Sequence, residues 1–175
     1  IKVTDLLYRC FEERDIPAAF DALFSKIRQR YTELVEDLKL TIDIKKYLDE
    51  VEDGIKKCGR ADYAASRGEY LTARIMAEVL GLEFIDASKI IKFTVKGVFD
   101  ADTTNDLVAN TLSINKGAVI PGFYGEMPDG SIKTFTRGGS DFTGAIIARG
   151  VMADVYENWT DVDGFMTTDP RIVHN

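Results

Sequence analysis

The stretch E-F-I-D-A-S-K-I-I-K-F-T-V-K-G-V-F-D-A-D-T-T-N-D-L-V-A-N-T-L-S-I-N-K-G-A-V-I, from Glu83 to Ile120, decides the fold class. Three short apolar runs in it have β character: Glu83 to Ile85, Ile91 to Val95 and Ala118 to Ile120. A helical interval from Thr104 to Ile114 separates the last two. Helices alternating with short apolar strands predict an α/β layered domain with a largely parallel sheet.

Outward from this centre the pattern is helical. On the N-terminal side Phe20, Leu23, Phe24, Ile27, Tyr31, Leu34, Val35 and Leu38 fall at spacings of three and four, with Asp15 and Pro17 as start signals. Ile44, Tyr47, Leu48, Val51 and Ile55 repeat the pattern in a second helix, and both helices read as scaffold. A third runs from Tyr70 to Leu80 and is expected to end on Gly81. Ile1 to Leu7 already reads as ordered structure. On the C-terminal side a helix from Asp141 to Val151 leads into Asp154 to Trp159, which reads as a buried strand. No repeat, low-complexity tract or linker interrupts the chain, so its 175 residues are expected to form one domain.

The composition, 45% hydrophobic and 29% charged, is that of an ordinary soluble globular protein. A net charge of −7 without a Lys/Arg cluster speaks against a nucleic-acid partner. Cys10 and Cys58 are too few for a disulfide framework or a cysteine zinc site, so a reduced, cytoplasmic setting is expected. No apolar run approaches the ~20 residues that span a bilayer, and no signal peptide opens the sequence. The first residue is Ile1 rather than Met, and a fragment of a longer chain is expected.

Four segments have the makings of a site. Arg137-Gly138-Gly139-Ser140-Asp141 stands where a turn enters a helix: glycines allow close backbone approach, the helix start offers free N–H groups to an anion, and Arg137 supplies a fork for carboxylate or phosphate. Its plainer reading is a helix cap. Ser66-Arg67-Gly68-Glu69, placed before the third helix, has the spacing of a capping box; alternatively Glu69 accepts a substrate ammonium. Pro121-Gly122-Phe123-Tyr124-Gly125 follows a strand, where ligands of open α/β sheets lie, or is an exposed turn. Thr160-Asp161-Val162-Asp163-Gly164 lacks the third acidic position and closing glutamate of a calcium loop. Thr160 and Asp161 there suit a nucleotide's ribose or base, with Arg171 reaching phosphate. No metal-ligand set is read, and no phosphate-loop, dinucleotide or nucleophile-elbow motif occurs. His174 is the only histidine, which leaves triad and histidine-metal mechanisms without support.

In this order and with these gaps, S-R-G-E, I-P-G-F-Y-G, T-F-T-R-G-G-S-D and W-T-D-V-D-G-F-M-T-T-D-P-R resemble the aspartate kinases of the amino-acid kinase superfamily, from Ala64 onward. The resemblance implies a three-layer αβα sandwich. It also implies transfer of the γ-phosphoryl group of ATP, with Mg2+, to the side-chain carboxylate of L-aspartate, the first step of aspartate-family amino-acid biosynthesis. By motif position, Glu69 is then the ammonium ligand, Arg137 the clamp on a substrate carboxylate, and Asp141 the residue organising the reacting centre. Ser66, Phe123 and Thr134 line the same pocket, while Thr160, Asp161, Met166 and Arg171 hold ATP. A homodimer is expected by family analogy.

The sequence departs from that pattern in specific places. No K-F-G-G-[ST] segment occurs, and the second phosphate lysine of the family falls beyond D-P-R, almost where these residues stop. Phosphoryl transfer relies on cations around the moving group, so the 175 residues alone are expected to be inactive. Met166 stands where the family often has tyrosine against adenine, and the regulatory ACT domains that many relatives append do not fall within these 175 residues. Two other readings stay open: a kinase acting on glutamate, and a non-catalytic ligand-binding relative.

Overall fold

In a computed structural model, residues 2–112, 117–136 and 138–159 are described. The first half is helical. Helix α1 (Val3–Glu12) turns Leu6, Leu7 and Cys10 inward. Helix α2 (Pro17–Asp37) carries Pro17 in its first turn, where a missing N–H breaks no bond, and buries Phe20, Leu23, Phe24, Ile27, Tyr31 and Val35. Leu34 and Leu38 of the expected stripe lie at its exposed margin. Helix α3 (Ile44–Lys57) starts on Asp43, whose carboxylate accepts the Lys46 N–H at 3.2 Å. Arg28 joins α2 to α3 through Asp49 and Glu52, each at 2.7 Å.

Helix α4 (Ala61–Leu80) corrects one expectation. It starts at Ala61, so Ser66 to Glu69 lie inside the helix and not before it, and the capping-box reading fails. Ala64, Ala65, Ser66, Arg67 and Gly68 are all buried, which removes the polar face that a helical period needs. The end is as expected: Gly81 takes the left-handed φ of 65° that favours glycine.

Strand β1 (Glu83–Phe84) pairs in parallel with β2 (Ala118–Val119), Glu83 opposite Ala118 and Phe84 opposite Val119. Between them lie α5 (Ala87–Ile90), capped by Asp86, and α6 (Ala101–Thr111), capped by Asp100. Strands β3 (Tyr124–Glu126) and β4 (Ile132–Thr134) form an antiparallel hairpin, its turn tied by the Asp129 carboxylate to the N–H and hydroxyl of Ser131. Helix α7 (Gly139–Gly150) follows. The α/β class stands, with the parallel pairing among the described residues confined to β1 and β2.

Two predicted strands differ. Ile91 to Val95 contributes only isolated bridges, Lys92 to Glu126 and Phe93 to Phe99. Asp154 to Trp159 is no strand: residues 151–159 hold none, and Val155 and Trp159 are 73% and 89% exposed. An apolar run without a neighbouring strand leaves its backbone to water, and periodicity alone cannot report that lack.

Two apolar clusters result. One gathers α1 to α4 around Leu7, Phe20, Ile27, Leu48, Ile55 and Leu71. The other gathers Ile90, Ile91, Phe93, Val108 and Tyr124. Helix α4 touches α1 and α3 on one side and β1, β2 and β4 on the other. Tyr70 meets Phe84 edge-to-face at 5.5 Å across that boundary. Among the described residues no helix is long and apolar enough to cross a membrane.

Candidate active site

Where α4 passes α1 and α2, a cavity of about 430 Å3 opens. Thr4 of α1, Arg30 and Tyr31 of α2, Gly68, Glu69 and Thr72 of α4, and the Ile120–Gly122 segment after β2 line it. Among the described residues that line it, Glu69 is the one carboxylate and Arg30 the one cation. Oε2 of Glu69 is buried and has no hydrogen-bond partner among the described residues. Burial pushes the Glu69 carboxyl above its usual range. An uncompensated carboxylate oxygen in a concave site is what a cationic ligand group would satisfy.

The neighbouring wall is rigid. The buried Tyr31 hydroxyl donates to the Gly68 carbonyl at 2.9 Å and lies 3.2 Å from the Thr72 hydroxyl. This fixes the turn of α4 that presents Glu69. Gly122, on the opposite lining, packs against Ser140 in the first turn of α7.

Of the described residues expected in the site, Glu69 is in the cavity lining, with its motif neighbours Gly68, Pro121 and Gly122; Ser66, Phe123, Thr134 and Asp141 are not among the lining residues. The Ser66 hydroxyl donates to the Tyr63 carbonyl at 2.7 Å and accepts from Arg67 Nε and Nη2 at 3.1 and 2.9 Å. Thr134 gives both its N–H and its hydroxyl to Asp62 Oδ1, each at 2.8 Å. Burial opposes charge on Asp62, and these two bonds outweigh it, so its carboxyl is held below its ordinary value.

Phe123, next to Gly122, has a left-handed φ of 62°, a conformation that costs a non-glycine residue roughly 1 kcal/mol or more and clusters at ligand sites. Three bonds hold it there: its N–H donates to Thr143 Oγ1 at 2.9 Å, that hydroxyl donates to the Gly139 carbonyl at 2.8 Å, and the Phe123 carbonyl accepts the Phe135 N–H at 2.8 Å. Gly139 is required by this approach, because a Cβ there would stand 2.6 Å from Phe123 Cβ. Asp141 is exposed in the first turn of α7, where a carboxylate suits the helix dipole, and accepts from Asn158 Nδ2 at 3.2 Å. Arg137, Thr160, Asp161, Met166 and Arg171 lie outside the described residues.

The sequence reading missed Thr4, Arg30, Tyr31 and Thr72, which no motif joins. Tyr31 offered one signal: a phenol within an aliphatic stripe must find a buried partner for its hydroxyl.

Residues 4–175 match the model of the amino acid kinase family. Aspartokinase 3 of Bacillus subtilis strain 168 is 31% identical over 191 residues, which cover 99% of this chain and 41% of that protein. Aspartokinase of Schizosaccharomyces pombe is 37% identical over 123 residues, 64% of this chain and 24% of that one. Among solved structures, the aspartate kinase of Clostridium acetobutylicum superposes with a TM-score of 0.88 at 50% identity, covering 100% of this chain and 40% of that chain. E. coli aspartokinase III in complex with aspartate and ADP gives 0.79 at 25% identity, covering 98% and 43%. The chain thus spans about two-fifths of the length of the Bacillus and Clostridium relatives. With the family match running through both the helical layer and the motif-bearing half, the chain belongs to the amino acid kinase family.

Proposed function

We propose that this chain is the partial catalytic domain of an aspartate kinase, which phosphorylates the L-aspartate side-chain carboxylate to 4-phospho-L-aspartate with ATP as the phosphoryl donor. The observation that carries the reading is the buried, unpartnered Glu69 oxygen in a cavity of small-molecule size. A substrate ammonium would satisfy it, and the arriving cation would draw the Glu69 carboxyl back to its charged form. The aspartokinase relatives and the E. coli structure holding aspartate and ADP support the same assignment.

In this reading Arg137 holds a substrate carboxylate, Asp141 organises the reacting centre, and Ser66, Phe123 and Thr134 complete the surroundings of the cavity. Thr160, Asp161, Met166 and Arg171 serve the ATP end. The acceptor is already ionised at neutral pH, so its oxygen attacks the γ-phosphorus while the bond to the ADP oxygen breaks, and no general base is needed. That agrees with a chain whose single histidine, His174, stands outside every motif. No group of three metal-ligating side chains converges among the described residues. Mg2+ is assigned to the nucleotide's phosphates, which is how this ion is commonly held. The reading includes a three-layer αβα sandwich in one domain, a cytoplasmic setting and, by family analogy, a homodimer.

The test is a hydroxamate assay of the full-length protein with ATP and either L-aspartate or L-glutamate. Aspartyl hydroxamate is expected. Activity on glutamate alone would replace this reading by a glutamate kinase, and activity on neither, with aspartate still bound, by a ligand-binding relative.

A further inference from the structure

Arg67 stands in the middle of α4 with 5% of its surface exposed, yet none of the ion pairs among the described residues includes it. A buried charge without compensation is expensive. Here compensation comes from ring faces. The guanidinium carbon lies 4.6 Å from the Tyr63 ring centroid, 4.6 Å from that of Tyr70 and 5.1 Å from that of Tyr124, all within cation–π range. Nε and Nη2 both donate to the Ser66 hydroxyl.

The three rings are not equivalent. Tyr63 and Tyr70 belong to α4, where positions four before and three after Arg67 fall on its own face. Tyr124 belongs to β3, so its contact with Arg67 crosses from the helix to the hairpin. The Tyr124 hydroxyl donates to Asp86 Oδ1 at 2.9 Å, and the same oxygen accepts from the N–H and hydroxyl of Ser88 at the start of α5. This fixes the ring that faces the guanidinium. Tyr124 directly follows Phe123, the left-handed residue beside the cavity, and Glu69 lies two positions after Arg67 on α4.

We propose that Arg67 is a positioning residue for the amino-acid end of the site. Its guanidinium sets the Phe123–Tyr124 backbone against α4, and thereby the distance between the Ile120–Gly122 lining and Glu69. This rests on the aspartate kinase reading. Ser66 takes a new part in it: its hydroxyl serves as the acceptor that orients Arg67.

The test uses the full-length protein, with Arg67→Met and Arg67→Lys compared with wild type. Methionine keeps length and apolar bulk but loses the charge and both donors. Lysine keeps the charge in the aromatic cage and loses the two-nitrogen grip on Ser66. The expected result is an aspartate KM raised about tenfold in Arg67→Met and about threefold in Arg67→Lys, with the ATP KM and kcat within about twofold of wild type. A residue that merely fills space would lower the melting temperature and leave the two KM values in their original ratio, and that result would overturn the proposal. Should Arg67→Met fail to fold, the lysine variant decides by the same ratio. Wild-type activity on aspartate with unchanged KM values in the variants defeats only the role of Arg67. A wild type inactive on aspartate defeats the aspartate reading, and the KM for the acid it does phosphorylate then decides for Arg67.

Discussion

Asp62 on α4 receives both hydrogen bonds that Thr134 can donate, from its backbone N–H and its hydroxyl, at 2.8 Å each. One carboxylate oxygen thereby fastens the hairpin to the helix that carries Glu69. Replacing it by Asp62→Ala strands a half-buried N–H and a hydroxyl together. We expect a loss of about 2 kcal/mol at pH 7, since bonds to a charged acceptor contribute ~1.5–3 kcal/mol each and part of that is recovered by water. Because the folded carboxyl lies below its unfolded value, this stabilisation is present above the unfolded value and disappears as pH falls through the folded one. Urea denaturation at pH 7 and pH 3 should show the wild type falling toward the variant at the lower pH.

Glu69 has the opposite sign. Burial raises its folded value, so its contribution is complete below the unfolded value and is lost as pH rises through the folded one. Glu69→Gln should therefore make the ligand-free protein more stable at pH 7, by about 1 kcal/mol, the low end for a poorly satisfied buried group. Aspartate affinity should fall by about ten- to a hundredfold, the equivalent of one charge-assisted bond. Thermal unfolding with and without aspartate reads both effects, and a variant less stable when ligand-free would contradict the account.

Gly139→Ala places a methyl group against Phe123 and Phe135, at 2.6 and 2.9 Å from their Cβ atoms. Neither neighbour can turn its Cβ away, so α7 must retreat. Overpacking of this kind costs about 1–3 kcal/mol. On the proposed reading, the retreat should also raise the aspartate KM of the full-length protein, because Phe123 and Ser140 move with it. A variant with wild-type stability and KM would show that this approach is not needed.

Tyr31→Phe removes the hydroxyl that bonds the Gly68 carbonyl and leaves the ring in the core. The expected loss is about 1 kcal/mol. On the proposed reading, the aspartate KM of the full-length protein should rise two- to fivefold with its ATP KM unchanged, because the turn before Glu69 is no longer held. Steady-state kinetics on both substrates decide it.

Helices with one wet face were legible in the sequence, and elements defined by partners were not. Phe20 to Val35 and Ile44 to Ile55 announce α2 and α3 because each buries a single stripe, and Pro17 and Gly81 mark ends by backbone chemistry alone. The start of α4 is silent because Ala64 to Gly68 are enclosed on every side. The hairpin escapes because its strands are three residues each, too short for alternation to register, although Pro128-Asp129-Gly130 is a recognisable turn. Asp154 to Trp159 shows the converse, a segment with β-favouring residues (Val155, Tyr156, Trp159) and no strand beside it.

The site divides the same way. Glu69, Arg137 and Asp141 stand in motifs whose charges and glycines invite a chemical reading. Thr4, Arg30 and Tyr31 enter the cavity only because α1 and α2 pack on α4, a fact of tertiary contact that residue order does not hold. Arg67 lies inside a motif that the sequence places before the third helix, and nothing marks it out until Tyr124 is brought over it.

The division into two clusters also orders assembly in time. Helices α1 to α4 are consecutive and pack on one another, so their layer closes through short loops. The bond from Thr134 to Asp62 joins positions 72 residues apart, and the Phe123 backbone beside the Ile120–Gly122 lining bonds to Phe135 just after the hairpin so anchored. Contacts of long sequence separation form late. The helical layer is expected to form first, and the hairpin to dock on it. In reverse, the hairpin and α7 release first, and amide exchange should find β3 and β4 opening while α2 and α4 remain protected. On the proposed reading, warming the full-length protein is expected to abolish turnover before it melts the helices.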